Sequence, residues 1–250
     1  MAEGVLDGQI ALITGAAKRI GRAIALGLAE EGVEVIVHYN SSESEAEELV
    51  ALLRRRGRQA WKLQGSLDEG TRIEDLWLRA KEAVSQAPIS ILVNNASIFP
   101  TDSLADFDAE ELRKNLDINA LAPLELIRLF AAQGKKGSVV NLLDSRIGGY
   151  MRHHVSYSLS KRMLFSLTRM LAVELAPLIR INAVAPGMIV PPEGQSREEL
   201  ERLAARAPLN RWGQPGDVAR AVVFLLENEF LTGQVLYVDG GAFLREDLYG

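Results

Sequence analysis

The sequence of 250 residues contains no cysteine. Disulfides and thiolate chemistry are therefore excluded outright, and a reducing compartment is compatible without being required. No apolar run is long enough to span a bilayer. The opening stretch MAEGVLDGQIALITG lacks the basic region and long apolar segment of a secretory signal, so the expectation is a cytoplasmic protein with no membrane partner. Positive charge is not in excess: 28 Lys and Arg against 33 Asp and Glu give a net −5, which offers no footprint for nucleic acid. Pro/Gly/Ser-rich linkers, single-sign charge blocks and fixed-period repeats are also missing, and the nine prolines are scattered. One domain over residues 1–250 is expected. With 48% hydrophobic residues, 24% charged residues and a mean hydropathy of +0.04, the chain has the composition of a soluble protein with one sizeable core.

What is present is an alternation of short apolar runs and longer amphipathic segments. QIALIT, VEVIVHY, QAWKLQ, ISILVNN, GSVVNLL, IRINAVAP and QVLYVDG read as strands. KRIGRAIALGLAEEG reads as a helix ending at Gly32, a C′ glycine. Ser42 with Glu45 has the capping-box spacing and predicts a helix to about Arg56. Continuously apolar strands that alternate with helices imply a parallel sheet covered on both faces, an α/β doubly wound Rossmann-type fold. In such sheets the ligand lies beyond the carboxyl ends of the strands. Thr14 to Gly21, His38 to Ser41, Asn94 to Phe99, Asp144, and Pro186 with Gly187 all fall at those ends.

Within SYSLSKRMLFSLTRMLAVELA, Tyr157 and Lys161 lie four residues apart, on one helix face and one turn from each other. A cation beside a phenol favours the phenolate, so Tyr157 is expected to exchange a proton near neutral pH. Thirteen residues before it, NLLDSR offers Asp144, with Ser145 one residue closer as the alternative partner. His153 and His154 read as loop residues near the substrate. No carboxylate is spaced to complete a metal site with them.

TGAAKRIGRAIA follows the first strand and opens the first helix. Backbone N–H groups at a helix N-terminus, with Gly15 and Gly21 allowing close approach, suit a pyrophosphate. The middle glycine of the usual loop is absent, and Arg19 stands there. An enzyme that prefers NAD places Asp or Glu at the end of the second strand, to bind the ribose 2′-hydroxyl. Here the residues are His38, Tyr39, Asn40, Ser41 and Ser42, with no carboxylate before Glu43. That absence, with Arg19 and two serine hydroxyls nearby, points to NADP(H). Ser41 and Ser42 equally suit the cap of the next helix, and His38 taken alone suits a packed strand residue.

With these residues assembled, the chain resembles the short-chain dehydrogenase/reductase family along essentially its whole length. The resemblance rests on TGAAKRIG, LVNNAS, LDINALAP around Asn119, YSLSK, INAVAPG and the closing VDGG, in that order. Within the family it is most similar to the pteridine reductase subgroup, through the arginine in TGAAKRIG, the HYN run, NNASIF, and the aspartate of NLLD where the family usually has serine. The resemblance implies Tyr157 as the proton-transfer residue, with Lys161 binding the nicotinamide ribose and lowering the tyrosine's pKa. Asn119 would hold a water-linked relay behind Lys161. Gly15, Arg19, Ile20, His38, Tyr39, Asn40, Ser41, Asn95, Ala96 and Ser97 would contact the cofactor, and Pro186 and Gly187 would flank the nicotinamide. Arg19, Ser97, Phe99, Asp144 and Tyr157 would contact the pterin, Phe99 by stacking on it. Ser66 stands where the family often has an aspartate near the adenine, with Leu67 packed beside it. A homotetramer is also implied.

The helices around Leu112–Phe130 and Tyr157–Ala176 are apolar on more than one face, which a second copy or a thick covering layer within one chain would explain. Residues from about 188 to 210, with two prolines and Gly194 before Ser196, are expected to form a substrate-covering lid. The leading expectation is an NADPH-dependent reductase of a pterin ring C=N bond. The alternatives are a carbonyl reductase, acting for example on a 3-oxoacyl thioester or a sugar ketone, and a non-catalytic cofactor-sensing protein.

Overall fold

The structure is a computed structural model that describes residues 4–68, 72–149, 151–189, 196–205 and 207–244. Seven strands form one wholly parallel sheet: β1 (Ile10–Ile13), β2 (Glu34–Tyr39), β3 (Ala60–Gln64), β4 (Ile91–Asn94), β5 (Gly137–Leu142), β6 (Ile179–Pro186) and β7 (Val235–Val238). Their order across the sheet is β3-β2-β1-β4-β5-β6-β7. β1 pairs with β2 on one side (Ile13 opposite Val37) and with β4 on the other (Ile13 opposite Val93). The chain thus winds outward in two directions from β1, and the order reverses between β1 and β4. The crevice at such a switch point is where doubly wound sheets hold ligands.

The strands run apolar without alternation because both faces are covered. α1 (Arg19–Glu30), α2 (Glu43–Arg55) and α8 (Pro215–Glu227) pack one face, and α3 (Ile73–Ala83), α5 (Ala122–Ala131) and α6 (Val155–Glu174) the other. Ile13, Val35, Val37 and Val93 point into the first layer, and Leu12, Ile36 and Leu92 into the second, all fully buried. Each such side chain contributes roughly 1.5–3 kcal/mol by leaving water. α4 (Ala109–Leu116) runs through a π-helical turn, Asp117–Leu121, into α5, and α7 (Arg197–Ala204) lies within the expected lid. Residues 190–195 of that lid, including Pro191, Pro192 and Gly194, lie outside the described residues. No helix among the described residues is long and apolar enough to cross a membrane.

α1 ends at Gly32 as its sequence predicts. Val33 N–H bonds Leu28 O at 3.0 Å and Gly32 N–H bonds Ala29 O at 3.2 Å, with Gly32 at φ +93°. A Cβ there would lie 2.0 Å from Asp7 Oδ1, so only glycine fits. The expected capping box of α2 does not form. Ser42 holds the N-cap position without a side-chain capping bond, and Glu45 pairs instead with Lys18 at 2.5 Å. The ammonium offers this half-exposed carboxylate a full charge, where the cap offers a single N–H.

α6 carries polar residues on its buried face. Ser156, Tyr157, Ser160, Lys161, Leu164, Thr168 and Ala172 turn inward. Thr168 receives Asn141 Nδ2 at 2.9 Å, and Asn141 Oδ1 receives Asn94 Nδ2 at 2.8 Å. This buried chain fixes the register of α6 against β5 and β4. Met170 and Val173, on the outer side, are 64% and 81% exposed, so no covering layer among the described residues reaches them.

Candidate active site

Thr14 and Asn95, at the ends of β1 and β4, tie the crevice together. Thr14 Oγ1 accepts the N–H groups of Asn95 (2.9 Å) and Ala96 (3.0 Å). Asn95 Nδ2 in turn donates to the carbonyls of Thr14 (2.9 Å) and Gly15 (3.0 Å). A Cβ on Gly21 would lie 2.2 Å from Gly15 O and 2.6 Å from Asn95 Nδ2, so the loop closes on itself only with glycine there. Arg19, the first residue of α1, adopts φ +52°. A left-handed backbone costs a non-glycine residue on the order of 1–2 kcal/mol, and such strain collects at ligand clamps. The N-cap residue of α1, Lys18, makes no side-chain capping bond, and no acidic residue lies in the first turn.

His38 is 2% exposed and uses both ring nitrogens. Gly15 N–H donates to Nδ1 at 3.1 Å, which leaves the proton on Nε2 to bond Gly65 O at 3.1 Å. The side chain expected to contact cofactor is therefore committed to positioning the glycine loop; a strand of alternately facing residues could not show which way it turns. Burial lowers its pKa from 6.5 to about 4, partly opposed by the bond to Gly65. The unfolded chain thus binds more protons than the folded one between these values, and stability falls as pH drops through them. The loss amounts to about 3 kcal/mol by pH 4. Denaturant unfolding at pH 7 and pH 4.5 is expected to show this loss in the wild type and a flatter dependence in His38→Gln. Equal pH dependence in the two proteins would remove His38 from this role.

Tyr39 is buried, and its hydroxyl donates to Glu43 at 3.3 Å. Glu43, the first carboxylate after β2, also accepts Lys62 Nζ at 3.3 Å. Asn40 and Ser41 stand exposed at the strand end. Ile20 packs against the first core layer, Leu67 belongs to the second, and Ser66 Oγ accepts the Asp68 N–H at 3.4 Å. Across the crevice, Gly187 donates to Val238 O at 3.0 Å, and a Cβ on it would lie 2.7 Å from Asp239. Pro186 closes β6.

The proton-handling group comes from β5 and α6. Tyr157 Oη donates to Asp144 Oδ2 at 3.1 Å, and Asp144 Oδ1 accepts the Arg146 N–H at 2.8 Å. Ser145 is buried, so the phenol meets the aspartate. Lys161 Nζ donates to Leu142 O at 2.7 Å and lies 5.7 Å from the Tyr157 ring centroid. The expected phenolate is overturned in this arrangement. Burial, then the charge of Asp144 and its hydrogen bond, hold the Tyr157 pKa well above 10. Burial acts first, and the carboxylate at the hydroxyl adds to it. Burial lowers Lys161 to about 8, with Asp144 acting in the opposite direction. Tyr157 is thus held neutral, its hydroxyl donating to Asp144.

Phe99, 52% exposed, meets the Tyr157 ring edge-on at 4.6 Å and stacks on His154 at 3.8 Å. His154 Nδ1 lies 2.7 Å from Pro100 O. Ser97 is exposed beside them. Asn119 is fully buried, but its side chain does not reach Lys161. It accepts the Ile98 N–H at 2.9 Å and donates to Ile98 O at 3.1 Å and Ser160 Oγ at 3.0 Å, so it holds the segment leading to Phe99. The sequence places Thr14 at a strand end and His154 near the substrate, but their partners, Asn95 and Ala96 for the one and Pro100 for the other, lie too far away in the chain for local pattern to show.

A family model described as Enoyl-(Acyl carrier protein) reductase matches residues 15–242. A crystal structure of FolM Alternative dihydrofolate reductase 1 from Brucella canis, complexed with NADP, is 34% identical, with TM-score 0.87 and 95% of each chain covered. The 3-oxoacyl-[acyl-carrier-protein] reductase FabG of Staphylococcus epidermidis is 34% identical over 245 residues, 94% of this chain and 98% of that one. L-rhamnose 1-dehydrogenase (NAD(P)(+)) of Sphingomonas is 30% identical over 254 residues, 96% and 98% of the two chains.

Proposed function

Since the chain belongs to the short-chain dehydrogenase/reductase family, we propose that it is an NADPH-dependent reductase of a ring C=N bond in a dihydropterin or dihydrofolate-type substrate. The observation that carries this reading is the Asp144 carboxylate at the Tyr157 hydroxyl, where carbonyl reductases of the family place a serine. The likeness to an NADP-bound protein named as an alternative dihydrofolate reductase supports it.

NADPH, when bound, supplies the hydride. The glycine loop closed by Gly21 and the uncapped start of α1 fit its pyrophosphate. Arg19, Asn40 and Ser41 suit a 2′-phosphate, and the first carboxylate after β2, Glu43, is already engaged by Lys62 and Tyr39. Asn95, Ala96 and Ser97, with Pro186 and Gly187 opposite, line the nicotinamide end.

Reduction of C=N requires a proton at nitrogen. Tyr157 holds that proton, and Asp144 holds the hydroxyl in line while its second oxygen stays anchored on Arg146 N–H. A carboxylate also accepts the N–H donors of an aminopyrimidine edge, which a serine oxygen does less well. Phe99 offers its exposed ring as a stacking surface, worth about 1 kcal/mol beyond area burial. Lys161, charged below a pH of about 8, balances the anion that Tyr157 becomes on giving up its proton. The exposed Met170 and Val173 on α6 support a homotetramer.

Similarity to a 3-oxoacyl reductase favours carbonyl reduction as the second reading. Cofactor oxidation should be followed with dihydrobiopterin, dihydromonapterin, dihydrofolate, a 3-oxoacyl thioester and simple ketones, using NADPH and then NADH. Turnover is expected with a pterin and NADPH. A protein consuming only the carbonyl compounds, or preferring NADH, would refute the assignment.

A further inference from the structure

We propose that Asp102 is a positioning residue that caps the catalytic helix from outside and locks it to the segment carrying Ser97 and Phe99. α6 begins at Val155, and its own N-cap residue, His154, makes no side-chain capping bond. No acidic residue lies in its first turn. Both deficits are met by Asp102, 54 positions away from Ser156. Asp102 Oδ2 accepts the Ser156 N–H at 2.9 Å and also the Ser156 hydroxyl. The carboxylate is 5% exposed and Ser156 fully buried. Ser156 immediately precedes Tyr157.

A negative charge at a helix N-terminus is stabilised by the helix dipole, and a buried N–H left unpaired is costly. The contact is part of a longer seam. Asp102 N–H bonds His153 O at 3.0 Å, His154 Nδ1 meets Pro100 O at 2.7 Å, and Phe99 stacks on His154. At its other end the same segment is held by Asn119 on Ile98. The pocket wall and the Tyr157 hydroxyl therefore share one anchor. Without Asp102, the first turn of α6 loses its cap and Tyr157 loses its fixed distance to Asp144. A displacement of about 1 Å of a reacting group costs on the order of 100-fold in rate.

The inference rests on Tyr157 as the proton donor and is independent of the pterin assignment. Asp102→Ala, Asp102→Asn and Ser156→Ala should be compared in two ways, well below their unfolding temperatures. The first is steady-state reduction of dihydrofolate by NADPH. The second is the 13Cζ NMR resonance of Tyr157, assigned by its loss in Tyr157→Phe. Asp102→Ala is expected to lose at least about tenfold in kcat, to bind NADPH within about twofold of wild type, and to move the Tyr157 resonance. Asp102→Asn, whose Oδ1 still accepts from Ser156, is expected to restore most of both. Ser156→Ala is expected to move the resonance in the same direction by a smaller amount, and it judges the idea if Asp102→Ala does not fold. An unmoved resonance in Ser156→Ala, unchanged kcat in Asp102→Ala, or an asparagine variant as defective as alanine would overturn the proposal. Failure of the wild type to reduce dihydrofolate would count against the pterin reading, while the resonance would still decide the role of Asp102.

Discussion

Tyr157→Phe is expected to lower kcat by about 10²–10⁴-fold, the usual contribution of a positioned general acid. The substitution removes one oxygen and keeps the ring, so the buried packing and the edge contact to Phe99 survive. Asp144 loses one partner but keeps the Arg146 N–H and is only partly buried, so no buried charge is stranded. Lys161 keeps its bond to Leu142 O. Binding of NADPH, followed by its fluorescence, should therefore stay within about twofold, and the fall should appear in kcat as the loss of a transition-state interaction. Single-turnover oxidation of bound NADPH separates the two. A phenylalanine variant retaining a tenth or more of wild-type kcat would mean that another group carries the proton.

The second large effect is expected at Asp144. Asp144→Ser should reduce pterin turnover at least about 100-fold. Two hydrogen bonds to a charged group, each worth about 1.5–3 kcal/mol, depend on the carboxylate, and a serine oxygen replaces them incompletely. The same change removes the two Asp144 influences that raise the Tyr157 pKa and leaves burial alone. The tyrosine pKa should therefore fall, and NMR titration of the Tyr157 ring carbon would detect it. Unchanged pterin reduction by the serine variant would sink the proposed substrate class. New activity on ketones, with pterin activity lost, would fit a pocket whose polar group selects between C=N and C=O.

How far these expectations were legible in the chain differs by residue. The seven strands were readable because a parallel sheet buried on both faces demands continuous apolar runs, and IALI, ILVN and GSVVNL supply them. Gly32 was readable as a stop signal because its backbone requirement is local. The spacing of Tyr157 and Lys161 was readable because helix geometry fixes it. The α2 capping box does not form because Lys18, at the N-cap of α1, competes for Glu45. Of the two roles the sequence left open for His38, the packed one is what its bonds to Gly15 and Gly65, which follow two different strands, display.

The sequence by itself determined the alternation of strands and helices, the glycine-dependent turn at Gly15–Gly21, and the shared helix face of Tyr157 and Lys161. These follow from periodicity, glycine backbone freedom and helical spacing, all of which act over a few residues. Only the tertiary structure decided that Tyr157 is held neutral, that His38 braces the phosphate loop, and that Asp102 caps α6 from 54 residues away. Protonation and capping are set by burial and by charges from remote elements. Those distances do not exist until the sheet has brought its strand ends together.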